Sequence, residues 1–211
     1  MDFFQSGRRL GVKISYPPRV GKQEALQAFW KHLAWIRREM DRQSGLAPGF
    51  EERNWHEGAV CLYRGEPLVL RLVFGGRTRV TQEAGCLVCQ GRTWTNTRLR
   101  KAIETWYRQQ AKCLVASRIG YWAERLTSRP YRIVIRGQKT RWGSCSSRGV
   151  LSFNWKLAMV PEFVLDYILV HELAHLEEFS HSARFWKIVR NQNVEVGKSK
   201  AWLKAHRGDL E

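Results

Sequence analysis

The sequence predicts an α+β fold with a strand-rich N-terminal part, and three observations predict it. Short segments of strand character crowd residues 58–90. One long helical pattern follows, from Asn96 to about Leu126. A hairpin and then a terminal helical block close the chain, so strands and helices are segregated and do not alternate as βαβ units. The predicted division is 1–92, a strand-rich region with one helix, and 93–211, carrying the helical block.

Taken in order, RRLGVKISY (8–16) reads as a strand stopped by Pro17 and Pro18. Residues 22–42 carry apolar side chains at helical spacing (Leu26, Phe29, Trp30, Leu33, Ile36, Met40) and predict a helix. The stretch from 58 to 90 predicts an antiparallel meander with turns at RGEP and FGGR. Asn96 is the expected N-cap of the long helix, which Ser128, Arg129 and Pro130 break. YRIVIRGQKTRWGSC and VLSFNWKLAMV then read as two strands about the turn SSRG, with Trp142 and Trp155 expected in the core.

Composition narrows the class. Hydrophobic residues are 44% of the 211, with ten Trp, which suits a packed core and excludes a disordered chain. No apolar run reaches the ~18 residues of a membrane span, and no signal peptide is legible, so a cytoplasmic protein is expected. Five scattered cysteines fit a reducing compartment. Cys86 and Cys89 form a C-x-x-C, but in a strand positions three apart face opposite ways, which argues against a shared metal or disulfide. The net charge of +17 predicts some affinity for polyanions, including nucleic acid. The cations are scattered, however, so a solvated surface is the first reading, ahead of a dedicated nucleic-acid face.

The chemistry concentrates in ILVHELAHLEEFSH (168–181), which holds three of the six histidines. After Pro161 and Glu162, a nearly continuous apolar run predicts a buried helix. Ionisable groups in such a helix are costly unless paired or bound to a metal. His175 stands about 40° from His171 and one turn along, so both imidazoles can hold one ion. Glu172 lies about 100° from His171, on the flank of that face, where its carboxylate can reach a water. This is the H-E-x-x-H spacing of metal-dependent hydrolysis. His181 is the expected third ligand, since a catalytic zinc takes three protein ligands and a water. On a continuous helix it would lie about 9 Å beyond His175, so the helix must end near Glu178 or Phe179. Ser180 is the expected cap of a further helix with His181 in its first turn. Glu177 and Glu178 are the rival ligands.

The run from RGQKTRWGSCSSRG through LSFNWKL and VHELAH to HSARFW closely resembles the YgjP-like metallopeptidase domain, a zincin-type group related to the SprT-like proteases. The likeness is strongest over 138–186 and only general over 45–95. It implies a zincin-like metallopeptidase domain in which His171, His175 and His181 bind zinc and Glu172 is the general base. It also implies that QKTRWGSC borders the cleft as an edge strand, able to pair with an extended peptide or protein substrate. Arg141 is read first as part of a structural ion pair; contact of Arg141, Trp142 or Asn154 with substrate is left open. Two other readings compete: a metal-dependent nucleotide phosphohydrolase, which would gather several of Arg136, Lys139, Arg141, Arg148, Lys156, Arg184 and Lys187 at the metal, and a nucleic-acid-associated module with structural zinc, against which the free Glu172 argues.

Overall fold

The computed structural model describes residues 50, 53–138, 141–206 and 210, and the two strands 2–6 and 9–13. Strands β1 (Asp2–Ser6) and β2 (Arg9–Lys13) form an antiparallel pair with Phe3 opposite Val12. β2 is the strand expected over 8–16; β1 was not expected. The helix predicted over 22–42 lies outside the described residues.

Strands β3 (Val60–Tyr63), β4 (Glu66–Phe74), β5 (Arg79–Glu83) and β6 (Cys86–Gly91) form one sheet in the order β3-β4-β6-β5. This corrects the expected meander. The turns stand where predicted: Arg64 and Gly65, at φ 52° and 85°, join β3 to β4. Gly75 and Gly76 of FGGR, at φ 115° and 72°, follow β4, and Ala84 and Gly85, at φ 42° and 81°, close the β5–β6 hairpin in a turn that was not expected. The hairpin then swings so that β6 inserts beside β4 and runs parallel to it. The register pairs Leu70 with Leu87 and Leu72 with Cys89, which keeps Leu68, Leu70, Leu87 and Cys89 on one buried face. Burial of that face, not chain order, chooses the neighbour.

The second sheet repeats this topology in the order β7-β9-β8, from β7 (Arg132–Arg136), β8 (Gly143–Cys145) and β9 (Val150–Asn154). The single strand expected over YRIVIRGQKTRWGSC is therefore two. β7 pairs parallel to β9 and β8 antiparallel to it, and the break between them is organised by Asn154. Its buried side chain donates to the carbonyls of Gln138 and Arg141 at 2.7 and 3.0 Å and accepts from Lys156 N. Asn154 thus has a structural role, and its amide is fully occupied by backbone.

Helix α1 (Asn96–Arg125) bridges both sheets. Its cap is Thr95, whose hydroxyl accepts from Arg98 N, one residue before the expected Asn96. Leu99, Ile103, Tyr107, Ala111, Val115, Ile119 and Trp122 form its buried stripe at spacings of three and four. Trp155 is buried against Tyr107 and Phe50, as expected of a core aromatic, and Trp142 is partly buried against the same core. A 3-10 turn (Trp155–Ala158) leads to α2 (Glu162–Ala174), followed by α3 (Ala183–Arg190) and α4 (Val196–Ala205). Arg118 and Trp122 of α1 both donate to Asp166 of α2, which ties the two central helices together. Among the described residues no helix is long and apolar enough to cross a membrane.

Candidate metal centre

Nine of the thirteen residues of α2 are buried, Glu172 among them, as the apolar run predicts. Pro161 takes the cap position and Glu162 the first turn, where its charge meets the positive end of the helix dipole. The helix ends sooner than expected: Ala174 is its last residue and His175 its C-cap. Tight turns follow, with Glu177 and Glu178 N–H both bonding to the Ala174 carbonyl. Neither Gly nor Pro is needed, because Glu178 fastens the reversal from both of its ends. Its carboxylate accepts from Ser180 N and Oγ at 3.2 and 2.7 Å, and its carbonyl stands 3.1 Å from His175 Nδ1. Those Ser180 hydrogen bonds also hold the Glu178 carboxyl below its ordinary pKa.

The next helix is capped by Ser182, whose hydroxyl accepts from Phe185 N, and not by Ser180. His181 therefore stands just before α3 and not in its first turn. The chain reversal brings it back: His181 Nε2 lies 3.1 Å from His171 Nε2. The three imidazoles form a nearly equilateral triangle, with ring centres 5.0, 5.0 and 4.8 Å apart. One nitrogen from each lies within 4.8 Å of the other two. The rival carboxylates are engaged elsewhere, Glu178 with Ser180 and Glu177 with Ser128 Oγ at 3.0 Å.

The donor set suits a borderline cation such as zinc: three imidazoles and no competing hard carboxylate. The His171 and His175 rings are held neutral, as ligands must be. Burial, then the neighbouring imidazoles His175 and His181, depress the His171 pKa to about 4. Burial also lowers His175, with its Nδ1 proton directed at the Glu178 carbonyl, leaving the Nε2 lone pair for a metal. His171 Nδ1 is buried with no hydrogen-bond partner among the described residues.

Sequence reasoning overlooked the floor of this triangle. Phe185, fully buried in the first turn of α3, stacks on His175 at 4.5 Å and meets the His171 and His181 rings at 4.9 and 4.8 Å. Trp186 lies 6.0 Å from His171 and His181 and carries Lys200 Nζ over its own ring. An aromatic pair beginning three residues after a capping serine was the available signal. Gly143 was overlooked too. A Cβ there would meet Glu172 Cγ and Oε1 at 2.6 Å, so β8 rests on the carboxyl group itself. Burial raises the Glu172 pKa to about 7, partly offset by the charge of Arg141. Arg141 is exposed and makes no ion pair with a described residue, which corrects its reading as a structural salt bridge.

β8 is the outer strand of its sheet, with β9 on one side. Asn154 N bonds to Trp142 O and Ser146 N to Val150 O, so the intervening Gly143 and Cys145 turn their amides to the open edge. Lys139 and Thr140 of the same stretch lie outside the described residues. A triad of converging imidazoles, a buried carboxyl on its flank and an open strand edge against that carboxyl form an arrangement fitted for metal-assisted hydrolysis of an extended chain.

That class agrees with the family that the sequence matches. A family model described as the YgjP-like metallopeptidase domain matches residues 5–206, and the chain belongs to this metallopeptidase family. No curated protein matches it. Among solved structures it is similar to the crystal structure of the metallopeptidase zymogen of Pyrococcus abyssi abylysin. There identity is 24% over 43% of this chain and 93% of that one, with a TM-score of 0.34.

Proposed function

We propose that the protein is a zinc-dependent peptidase whose metal ligands are His171, His175 and His181 and whose general base is Glu172. The convergence of the three histidines beside a buried glutamate carries this reading. Bound there, zinc would supply Lewis acidity, lowering the pKa of a water and polarising a peptide carbonyl.

The chain's own residues supply the rest. His175 is oriented by the Glu178 carbonyl, and all three rings rest on Phe185, so the ligands are held in place before the ion arrives. Glu172, poised near neutral pKa, takes a proton from the attacking water at its carboxylate and returns it to the departing amine. The outward amides of Gly143 and Cys145 pair with an extended substrate backbone and bring its carbonyl beside Glu172. The chemistry is assigned to 93–211, with 1–92 as the strand-rich region. A nucleotide phosphohydrolase would call for several cations at the site. Among the described basic residues, Lys200 alone bears on His171, Arg141 alone on Glu172 and none on His175, which favours peptide chemistry.

The test is Glu172→Gln, assayed on a mixed pool of peptides and nucleotides with products identified by mass spectrometry. Peptide cleavage by the parent, absent from a variant that still holds its zinc, is expected. Turnover of nucleotides alone would overturn the peptidase reading.

A further inference from the structure

Away from the histidine triad, a groove of about 800 Å³ runs between the β4–β5 connection and the first half of α1. We infer that this groove is a binding site for single-stranded nucleic acid. The inference is independent of the chemistry assigned to the histidines, none of which lines the groove.

Five cations line it: Arg77 and Arg79 from the sheet side, Arg92 after β6, and Arg98 and Lys101 from α1. All five are exposed, no acidic residue lines the groove, and none of the five has a carboxylate partner among the described ion pairs. Glu104 on the same helix is turned to Arg108 at 2.7 Å. Arg98 is held in place by a 2.7 Å hydrogen bond to Thr93 Oγ1. In a chain of net charge +17 single unpaired cations are expected anywhere; five around one concavity form an electrostatic footprint.

The floor distinguishes nucleic acid from other polyanions. Trp94 and Trp106 line the groove between the cations. Phe74 pairs with Gly91, and Val80 with Cys89, which places Phe74 on the same sheet face as groove-lining Val80; its side chain is 70% exposed. An exposed phenylalanine on the sheet face that lines the groove suits an unstacked base, and a sequence-tolerant strand binds by alternating phosphate contacts with ring stacking. A duplex keeps its base faces hidden and gains nothing from these rings.

The experiment is fluorescence anisotropy of a short labelled oligothymidylate against the full-length protein over a salt series. Arg79→Ala/Arg98→Ala/Lys101→Ala should weaken binding about ten-fold or more and reduce the salt slope by about 2, at roughly 0.7 per phosphate contact on a single strand. A variant of equal charge, Arg148→Ala/Arg190→Ala/Lys204→Ala, should stay within about three-fold, its cations lying outside the groove. Phe74→Ala, exposed and safe for folding, should cost about five-fold. Equal losses in the two triple variants would overturn the site, leaving net charge as the cause. Tighter binding to a duplex of the same length would overturn the single-strand assignment. So would binding to vesicles of anionic phospholipid without binding to the oligonucleotide.

Discussion

Gly143 of the edge strand rests on the carboxyl group of Glu172, with room for no side chain: a Cβ would stand 2.6 Å from Oε1. The contact joins the strand proposed to pair with substrate to the group proposed to move the proton. Gly143→Ala must displace one or the other. Hydrolysis should fall by about 100-fold or more, because small misplacements of a catalytic group are costly. Zinc content should be unchanged and stability reduced by about 1–3 kcal/mol, the usual cost of overpacking. Zinc analysis, turnover and urea unfolding of one preparation check this; a variant with parental turnover would separate Gly143 from the chemistry.

The third ligand is open to direct measurement. His181→Ala should lower zinc affinity by at least about 100-fold, whereas Glu177→Ala should leave it near that of the parent, since Glu177 is hydrogen-bonded to Ser128. Glu178→Ala should fall between them, about ten-fold, because its carboxylate secures the reversal that returns His181. Competition with a chelating dye reads all three. Loss of zinc on changing Glu177 alone would move the ligand assignment.

Burial of Glu172 predicts a pH signature in the metal-free protein. Its pKa rises from 4.5 to about 7 on folding, so between these values the folded state binds the extra proton. Its contribution to stability therefore falls as pH rises through that window and stays low above it. Glutamine has no charge to bury. Glu172→Gln should gain stability relative to the parent from pH 5 to pH 8, by up to about 3 kcal/mol. His171 titrates in both proteins and largely cancels in the difference. Chemical unfolding at several pH values tests this, and a pH-independent difference would contradict it.

The cysteines should react unequally. Cys113 is exposed, whereas Cys61 and Cys89 are buried, with thiol pKa values pushed by burial to about 11 and about 12. Alkylation of the native protein near pH 8 should mark Cys113 first and leave Cys61 and Cys89 unmodified until the chain unfolds. Peptide mapping reads the order. Early loss of Cys89 together with Cys86 would mean that the C-x-x-C pair is more accessible than its alternating strand pattern allows.

Much of this protein is legible from local periodicity. The buried stripe of α1, the apolar burial of α2 and the placing of His171 and His175 one turn apart all follow from residues within a few positions of each other. So do the turns at Arg64-Gly65 and Gly149, where the backbone takes positive φ. The opposed facing of Cys86 and Cys89 is set in the same way, by the two-residue repeat of a strand. Other features depend on which surfaces meet. The insertion of β6 beside β4 was not legible because strand order is chosen by a shared buried face, and the alternation within each strand is the same in either order. The return of His181 to His171 requires the Glu178 reversal and the Phe185 floor, contacts formed only once α2 and α3 have packed. The demand for glycine at 143 exists only because Glu172 lies against it from another element. Sequence alone thus determined the described helices, apart from where they end, and the spacing of two candidate ligands, since both depend on bond geometry repeated every few residues. Tertiary structure decided the position of the third candidate ligand, the floor beneath the rings and the open strand edge, because each depends on the burial of surfaces distant in the chain.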